Sequence, residues 1–113
     1  EWAEKHFKSF LDILKSLRKT NQIEFLGGGF YEPILSQIPR DDIKEQIELM
    51  KTYIKDTFDY EIKGIWLAER VWDESLPEIL NALNIKYTIL DDTHFFYAGL
   101  TEKECIDYYI TEK

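Results

Sequence analysis

Three polar clusters in this sequence carry residue types that can do chemistry. They are Gly27-Gly28-Gly29-Phe30-Tyr31-Glu32-Pro33, then Glu69-Arg70-Val71-Trp72, then Asp91-Asp92-Thr93-His94. A carboxylate can attack an electron-poor carbon, move a proton or hold a hydroxyl. Glu69 is the most pointed of the acids, because it lies in Gly64-Ile65-Trp66-Leu67-Ala68-Glu69-Arg70-Val71-Trp72, an otherwise apolar run. On a strand packed between apolar residues it loses water, and unpaired it either destabilises the fold or takes up a proton. Two readings fit: a catalytic carboxylate, or half of a buried salt bridge with an arginine. Arg70 is not the natural partner, since neighbours on a strand point to opposite faces.

Glu32 follows a triple glycine and precedes Pro33. Such glycines allow positive φ and a close approach to a ligand. The loop lacks the Lys-Ser/Thr ending of a phosphate-binding P-loop, and a tight turn with Glu32 bonded to nearby backbone is the plain alternative. Phe30, Tyr31, Trp66 and Trp72 offer flat apolar faces suited to sugar rings, although aromatics serve as readily in a core. Asp91, Asp92 and His94 could form a metal site, but no second histidine lies nearby, and an Asp92 that caps the next helix explains the acid equally well. Cys105 has no base beside it and reads as an apolar filler or surface thiol. Ser9, Ser16, Ser36 and Ser75 sit on helices or helix starts, not on nucleophile turns.

The elements that must position these clusters follow from periodicity. Phe7, Phe10, Leu11, Leu14 and Leu17 predict an amphipathic helix over 2–20, stopped by Asn21. Ile23 to Leu26 reads as a strand. Pro39, Asp41 and Asp42 open a second helix with Ile43, Ile47, Met50 and Ile54 buried, running to about Phe58. Ile62 to Trp72 reads as extended. Ser75-Leu76-Pro77-Glu78 has capping-box spacing and opens a helix carrying Ile79, Leu80 and Leu83. Tyr87 to Leu90 is a third strand, and Tyr108-Tyr109-Ile110 could start a fourth. Strands separated by helices predict parallel pairing, and unalternated apolar strands predict cover on both sheet faces. Each polar cluster then falls at a strand's C-terminal end, the rim that carries active sites in α/β barrels. Three strands cannot close a barrel, so the expectation is a piece of a larger one.

Composition narrows the function classes. The 113 residues suit one domain at most. With 14 basic against 22 acidic residues and a net charge of −8, a nucleic-acid backbone is not the expected partner. No apolar run approaches the roughly 18–20 residues needed to cross a bilayer. A single cysteine excludes an internal disulfide and a thiolate zinc cluster. No signal peptide is visible, but the chain opens in mid-helix at Glu1 without a Met, so its true N-terminus is expected to lie earlier and the residues leave location open; the expectation adopted is cytoplasmic. Ample Lys and Glu, with few Asn and Gln, lean toward a thermophile.

Gly28-Gly29-Phe30-Tyr31-Glu32-Pro33 followed by Trp66-Leu67-Ala68-Glu69-Arg70-Val71-Trp72 resembles the second and third conserved regions of family 57 glycoside hydrolases, in particular the 4-α-glucanotransferase and α-amylase branch. Tyr87 to Phe95, with Ala98-Gly99-Leu100, is also similar, and the resemblance spans about residues 23–113. It implies an α/β chain that is a segment of a (β/α)7 barrel, about three βα units with outer helices, residues 1–113 being part of the catalytic domain of a larger enzyme. The implied activity is retaining action on an α-1,4-glucan or maltooligosaccharide through a covalent glycosyl-enzyme on Glu69. Glu32 is then a binding residue, Tyr31, Trp66 and Trp72 line sugar subsites, and Asp92 and His94 are candidates for the same rim. No metal and no cofactor are implied, and the full-length enzyme could be a homodimer. The family's first region, of His-Gln-Pro type, and its fourth, with the general acid/base Asp, are absent here, so the isolated piece is expected to be inactive. A retaining mechanism needs that second carboxyl about 5–5.5 Å from the first. Asp91 or Asp92 could supply it by proximity, without support from the family. Competing readings are a non-catalytic α-glucan-binding or remnant domain using the same aromatics, and a metal-dependent polysaccharide deacetylase-like barrel using Asp91, Asp92 and His94.

Overall fold

The computed structural model describes residues 2–110. Helices α1 (Trp2–His6) and α2 (Lys8–Lys19) replace the single helix expected over 2–20. The break falls at Phe7, whose φ of −127° and ψ of 38° leave the helical region. Trp2 stacks on His6 and meets Phe7 edge-on there, with ring centroids 4.7 and 5.2 Å away. Asn21 ends α2 as expected. It adopts φ 55°, and the Gln22 N–H reaches the Leu17 carbonyl at 3.0 Å.

Helix α3 (Arg40–Phe58) has the predicted bounds. Pro39 precedes it, Asp41 and Asp42 sit at its positive end, and Asp59 terminates it in the left-handed region at φ 50°. Ile43, Ile47 and Ile54 are buried on its inner stripe, and Met50 packs against the same cluster.

Pairing is parallel. Strand β1 (Gly64–Ile65) lies against β2 (Tyr87–Thr88), with Gly64 opposite Tyr87 and Ile65 opposite Thr88. On the other side of β1, Gly27 bridges Ile65. The Gly27 N–H donates to the Gly64 carbonyl at 3.0 Å, and the Trp66 N–H donates to the Gly27 carbonyl at 2.9 Å. The ladders are shorter than the apolar runs suggested. Ile23 to Leu26 makes no ladder; pairing falls on Gly27, where a Cβ would stand 2.1 Å from Ile62 Cδ1. Within 62–72 only Gly64–Ile65 pairs, and a 3-10 turn over Ala68–Arg70 ends the extended stretch. Beyond Thr88 the third strand does not continue, and Tyr108-Tyr109-Ile110 forms no strand. Among the described residues the chain is α/β with two parallel strands and a bridge, and three complete βα units are not formed there.

Helix α4 (Leu76–Ala82) begins where predicted but without the capping box. Asp73 takes that role, accepting from the Ser75 N–H at 2.9 Å and from its hydroxyl, while Glu78 turns away to pair with Arg40 at 2.9 Å. Helix α5 (Asp92–Tyr97) follows the last rim cluster.

One continuous core joins α3, α4 and one sheet face. Ile47, Ile65, Leu67, Leu76 and Ile79 are its most enclosed side chains. Burial of each such residue contributes about 1.5–3 kcal/mol. Phe25 packs beneath it, stacked on Phe58 at 4.3 Å. The other sheet face is open: Trp66, Tyr87 and Ile89 are all exposed. The prediction of cover on both faces is therefore corrected for this chain. Continuous apolar character signals burial in the whole assembly, whichever residues supply the cover.

On the open face the Tyr87 ring lies across Gly64, where a Cβ would meet it at 2.3 Å, and its hydroxyl donates to Glu24 Oε1 at 2.6 Å. The hydrogen bond to Glu24, with burial, pushes the Tyr87 phenol up to about 12 from 10.0. A phenol raised in the folded state supports folding in full below about pH 10 and loses that support as pH rises through about 12. Gly64→Ala is expected to displace the ring, cost about 1–3 kcal/mol in chemical denaturation, and return the phenol toward its ordinary value in a phenolate absorbance titration. Tyr87→Phe is expected to weaken the alkaline dependence of stability between those limits, to which Tyr60 also contributes, while leaving neutral-pH structure intact by circular dichroism.

Candidate active site

The rim is assembled from three segments that leave the parallel strands together. From the first, Gly27 to Pro33 turns sharply. The Glu32 N–H donates to the Gly29 carbonyl at 3.0 Å, and Glu32 itself sits at φ 53°. None of the three glycines takes positive φ, contrary to the reading of a glycine-led loop. They serve close approach instead: a Cβ on Gly28 would press on the Trp66 carbonyl at 3.0 Å. Gln46 of α3 fixes the tip, its Oε1 accepting from the Tyr31 N–H at 2.9 Å. Glu32 and Tyr31 project outward, Tyr31 with 76% of its surface exposed.

From the second segment, Trp66 and Leu67 alternate as strand residues should. Leu67 is enclosed in the core and Trp66 faces the open side, 43% exposed. Then Glu69 and Arg70 adopt consecutive left-handed conformations, φ 54° and 53°. Non-glycine residues rarely do this, at about 1–2 kcal/mol each. Glu69 is exposed, and no hydrogen bond or ion pair of its carboxylate is formed among the described residues. This corrects the expectation of a desolvated strand-end acid, and equally the buried salt-bridge alternative. The reason is local: the strand stops at Ile65, so the apolar run around Glu69 is a turn, not a ladder. Trp72 is half-buried and packs against the core.

From the third segment, Asp91 rather than Asp92 caps α5, accepting from the Thr93 N–H at 3.2 Å and the Thr93 hydroxyl at 2.8 Å. Its other oxygen meets Arg70 Nη1 at 2.8 Å. His94 Nε2 lies 3.0 Å from the Arg70 carbonyl. Asp92 stays exposed beside them. No group of three metal-ligating side chains converges among the described residues. Asp91 is engaged by Thr93 and Arg70, and His94 by the Arg70 carbonyl. The Arg70–Asp91 pair is the feature that sequence reading missed. Its only signal was a cation next to Glu69 and an acid pair on the following rim loop.

A groove of about 550 Å³ lined by Lys51, Lys55, Glu61, Lys63, Asn84 and Lys86 lies at the opposite end of the strands. That end of a parallel α/β unit serves packing rather than chemistry. No helix of the described residues is long and apolar enough to cross a membrane.

Parallel strands with flanking helices, and acids exposed just past the strand ends, define a segment of an α/β protein. Comparison makes the assignment specific. The family model for glycosyl hydrolase family 57 matches residues 1–113. An alpha-amylase of Pyrococcus horikoshii is 46% identical over 112 residues, covering 99% of this chain and 18% of its own length. A 4-alpha-glucanotransferase of Thermococcus litoralis is 44% identical over 112 residues, with 99% and 17% covered. The crystal structure of the Thermococcus litoralis 4-alpha-glucanotransferase superposes with a TM-score of 0.86 at 44% identity, covering 92% of this chain and 16% of that one. The chain belongs to glycosyl hydrolase family 57, and it spans about a sixth of the length of the curated relatives it matches.

The Thr93 hydroxyl and N–H, with smaller help from Asp92 and Arg70, hold Asp91 below the usual carboxylate range. A depressed carboxylate supports the fold above its unfolded pKa, and that support is lost as pH falls through the folded value. Thr93→Ala is expected to bring the Asp91 carboxyl back up toward its ordinary value, read by carboxyl-carbon NMR. Arg70→Met is expected to move it less.

Proposed function

We propose that residues 1–113 form part of the catalytic barrel domain of a retaining enzyme acting on α-1,4-glucans, as a 4-α-glucanotransferase or α-amylase. The observation that carries the reading is the rim itself: Glu32 and Glu69, each at a left-handed turn, and the exposed rings of Tyr31 and Trp66 all follow the strand ends. Family membership and the names of the relatives support the substrate class.

In this reading Glu69 attacks the anomeric carbon of the donor sugar and forms a covalent glycosyl-enzyme. The aglycone leaves with a proton from a carboxylic acid outside this chain, set about 5–5.5 Å away as retention requires. That acid then works as a base, drawing the proton from water for hydrolysis or from a sugar hydroxyl for transfer. Glu32 holds substrate hydroxyls, and Tyr31, Trp66 and the accessible part of Trp72 lie against sugar faces. Asp92 stands exposed on the same rim and is retained as a binding candidate. The exposure of Glu69 in this chain suits a nucleophile that must meet substrate, with the remaining barrel narrowing the space around it.

Glu69→Gln in the full-length protein is expected to lower turnover of maltooligosaccharides by at least about 10³-fold. Because the Glu69 carboxylate makes no hydrogen bond or ion pair among the described residues, the melting temperature should hold within error in calorimetry. Unchanged turnover would overturn the assignment.

A further inference from the structure

We propose that Arg70, Asp91 and His94 form a clamp that sets the direction of the Glu69 carboxylate, making them positioning residues rather than sugar contacts. The inference rests on the proposed role of Glu69.

The geometry begins with backbone strain. Glu69 and Arg70 are consecutive residues in the left-handed region, a conformation their side chains do not favour. Such a turn persists only when its surroundings fix it. The preceding residue, Ala68, leads back to Leu67, which is locked in the core. Immediately after Glu69, Arg70 is held at three points. Its N–H donates to the Leu67 carbonyl at 2.9 Å, its guanidinium meets Asp91 at 2.8 Å, and its carbonyl lies 3.0 Å from His94 Nε2. A carbonyl only accepts, so His94 must carry its proton on Nε2. Asp91 caps α5 and His94 lies in its first turn, and Asp91 is itself fixed by Thr93. The turn bearing Glu69 is therefore tied to a neighbouring rim element through both the side chain and the backbone of the next residue.

A half-exposed ion pair adds little to stability. A rigid turn bearing a nucleophile has a different value, since displacement by about 1 Å can cost about 10²-fold in rate. That asymmetry gives the clamp a distinct signature. Asp91→Asn keeps an oxygen for Thr93 and the helix cap but removes the charge facing Arg70. His94→Ala removes the donor to the Arg70 carbonyl, and His94→Gln restores an N–H donor there.

The experiment compares these variants with Glu69→Gln in the full-length enzyme, using maltooligosaccharide as substrate. Asp91→Asn and His94→Ala are expected to lower kcat about 10–100-fold, with KM changed less than about 2-fold. Melting temperatures should stay near that of the parent protein, and His94→Gln should recover most of the His94→Ala loss. If Glu69→Gln abolishes turnover while Asp91→Asn and His94→Ala keep kcat within about 2-fold, the clamp is refuted and the nucleophile assignment stands. A loss confined to KM, or no recovery in His94→Gln, refutes it likewise. If Glu69→Gln keeps full turnover, both fall together.

Discussion

Ile65 is the residue through which the rest of the molecule is registered. Its side chain is wholly enclosed between α3, α4 and the sheet, while its backbone sits between Gly27 on one side and Thr88 on the other. The Thr88 hydroxyl adds a bond to its carbonyl at 2.9 Å. With β1 fixed in this way, the three segments leave the strands side by side and their polar ends meet on one rim. A slip of one residue would turn Leu67 out of the core and Trp66 into it.

Charge at the rim is arranged for geometry more than for stability. The acids of the active-site reading, Glu32 and Glu69, are exposed and sit on left-handed turns. The groups that are engaged, Arg70, Asp91 and His94, bind one another across two segments. Backbone strain is thus concentrated where the proposed chemistry lies, and the contacts restraining it come from a different part of the chain. In the rest of the fold left-handed residues do ordinary work, as Asn21 and Asp59 do in ending helices.

Much of this was legible in the sequence, because helix signals are local. Asn21, Pro39 and the spacing of Ile43, Ile47 and Ile54 placed the C-terminal end of α2 and both ends of α3, while the break at Phe7 that starts α2 was not foreseen. Parallel pairing followed from helices alternating with apolar runs. Strand length was not legible, since a ladder needs a partner at every residue and the number of partners is a tertiary fact. That is why Ile23 to Leu26 and the stretch after Ile65 were over-read. The same error placed Glu69 in an apolar interior, when the turn at Ala68–Arg70 lifts it out. At the site, residue types were readable but pairings were not. The ion pair of Arg70 with Asp91 spans two rim loops, and the choice of Asp91 over Asp92 as helix cap depends on a backbone dihedral that composition does not reveal.

The uncovered sheet face gives the molecule a built-in optical gauge. Trp66 is part-exposed immediately past the central strand pair, whereas Trp72 is already packed against the core and Trp2 lies far off in α1, stacked on His6. An indole's emission moves to shorter wavelength when its hydration is stripped. Whatever comes to lie over Tyr87 and Ile89, be it neighbouring polypeptide or a carbohydrate ring, would therefore announce itself through one fluorophore three residues from Glu69.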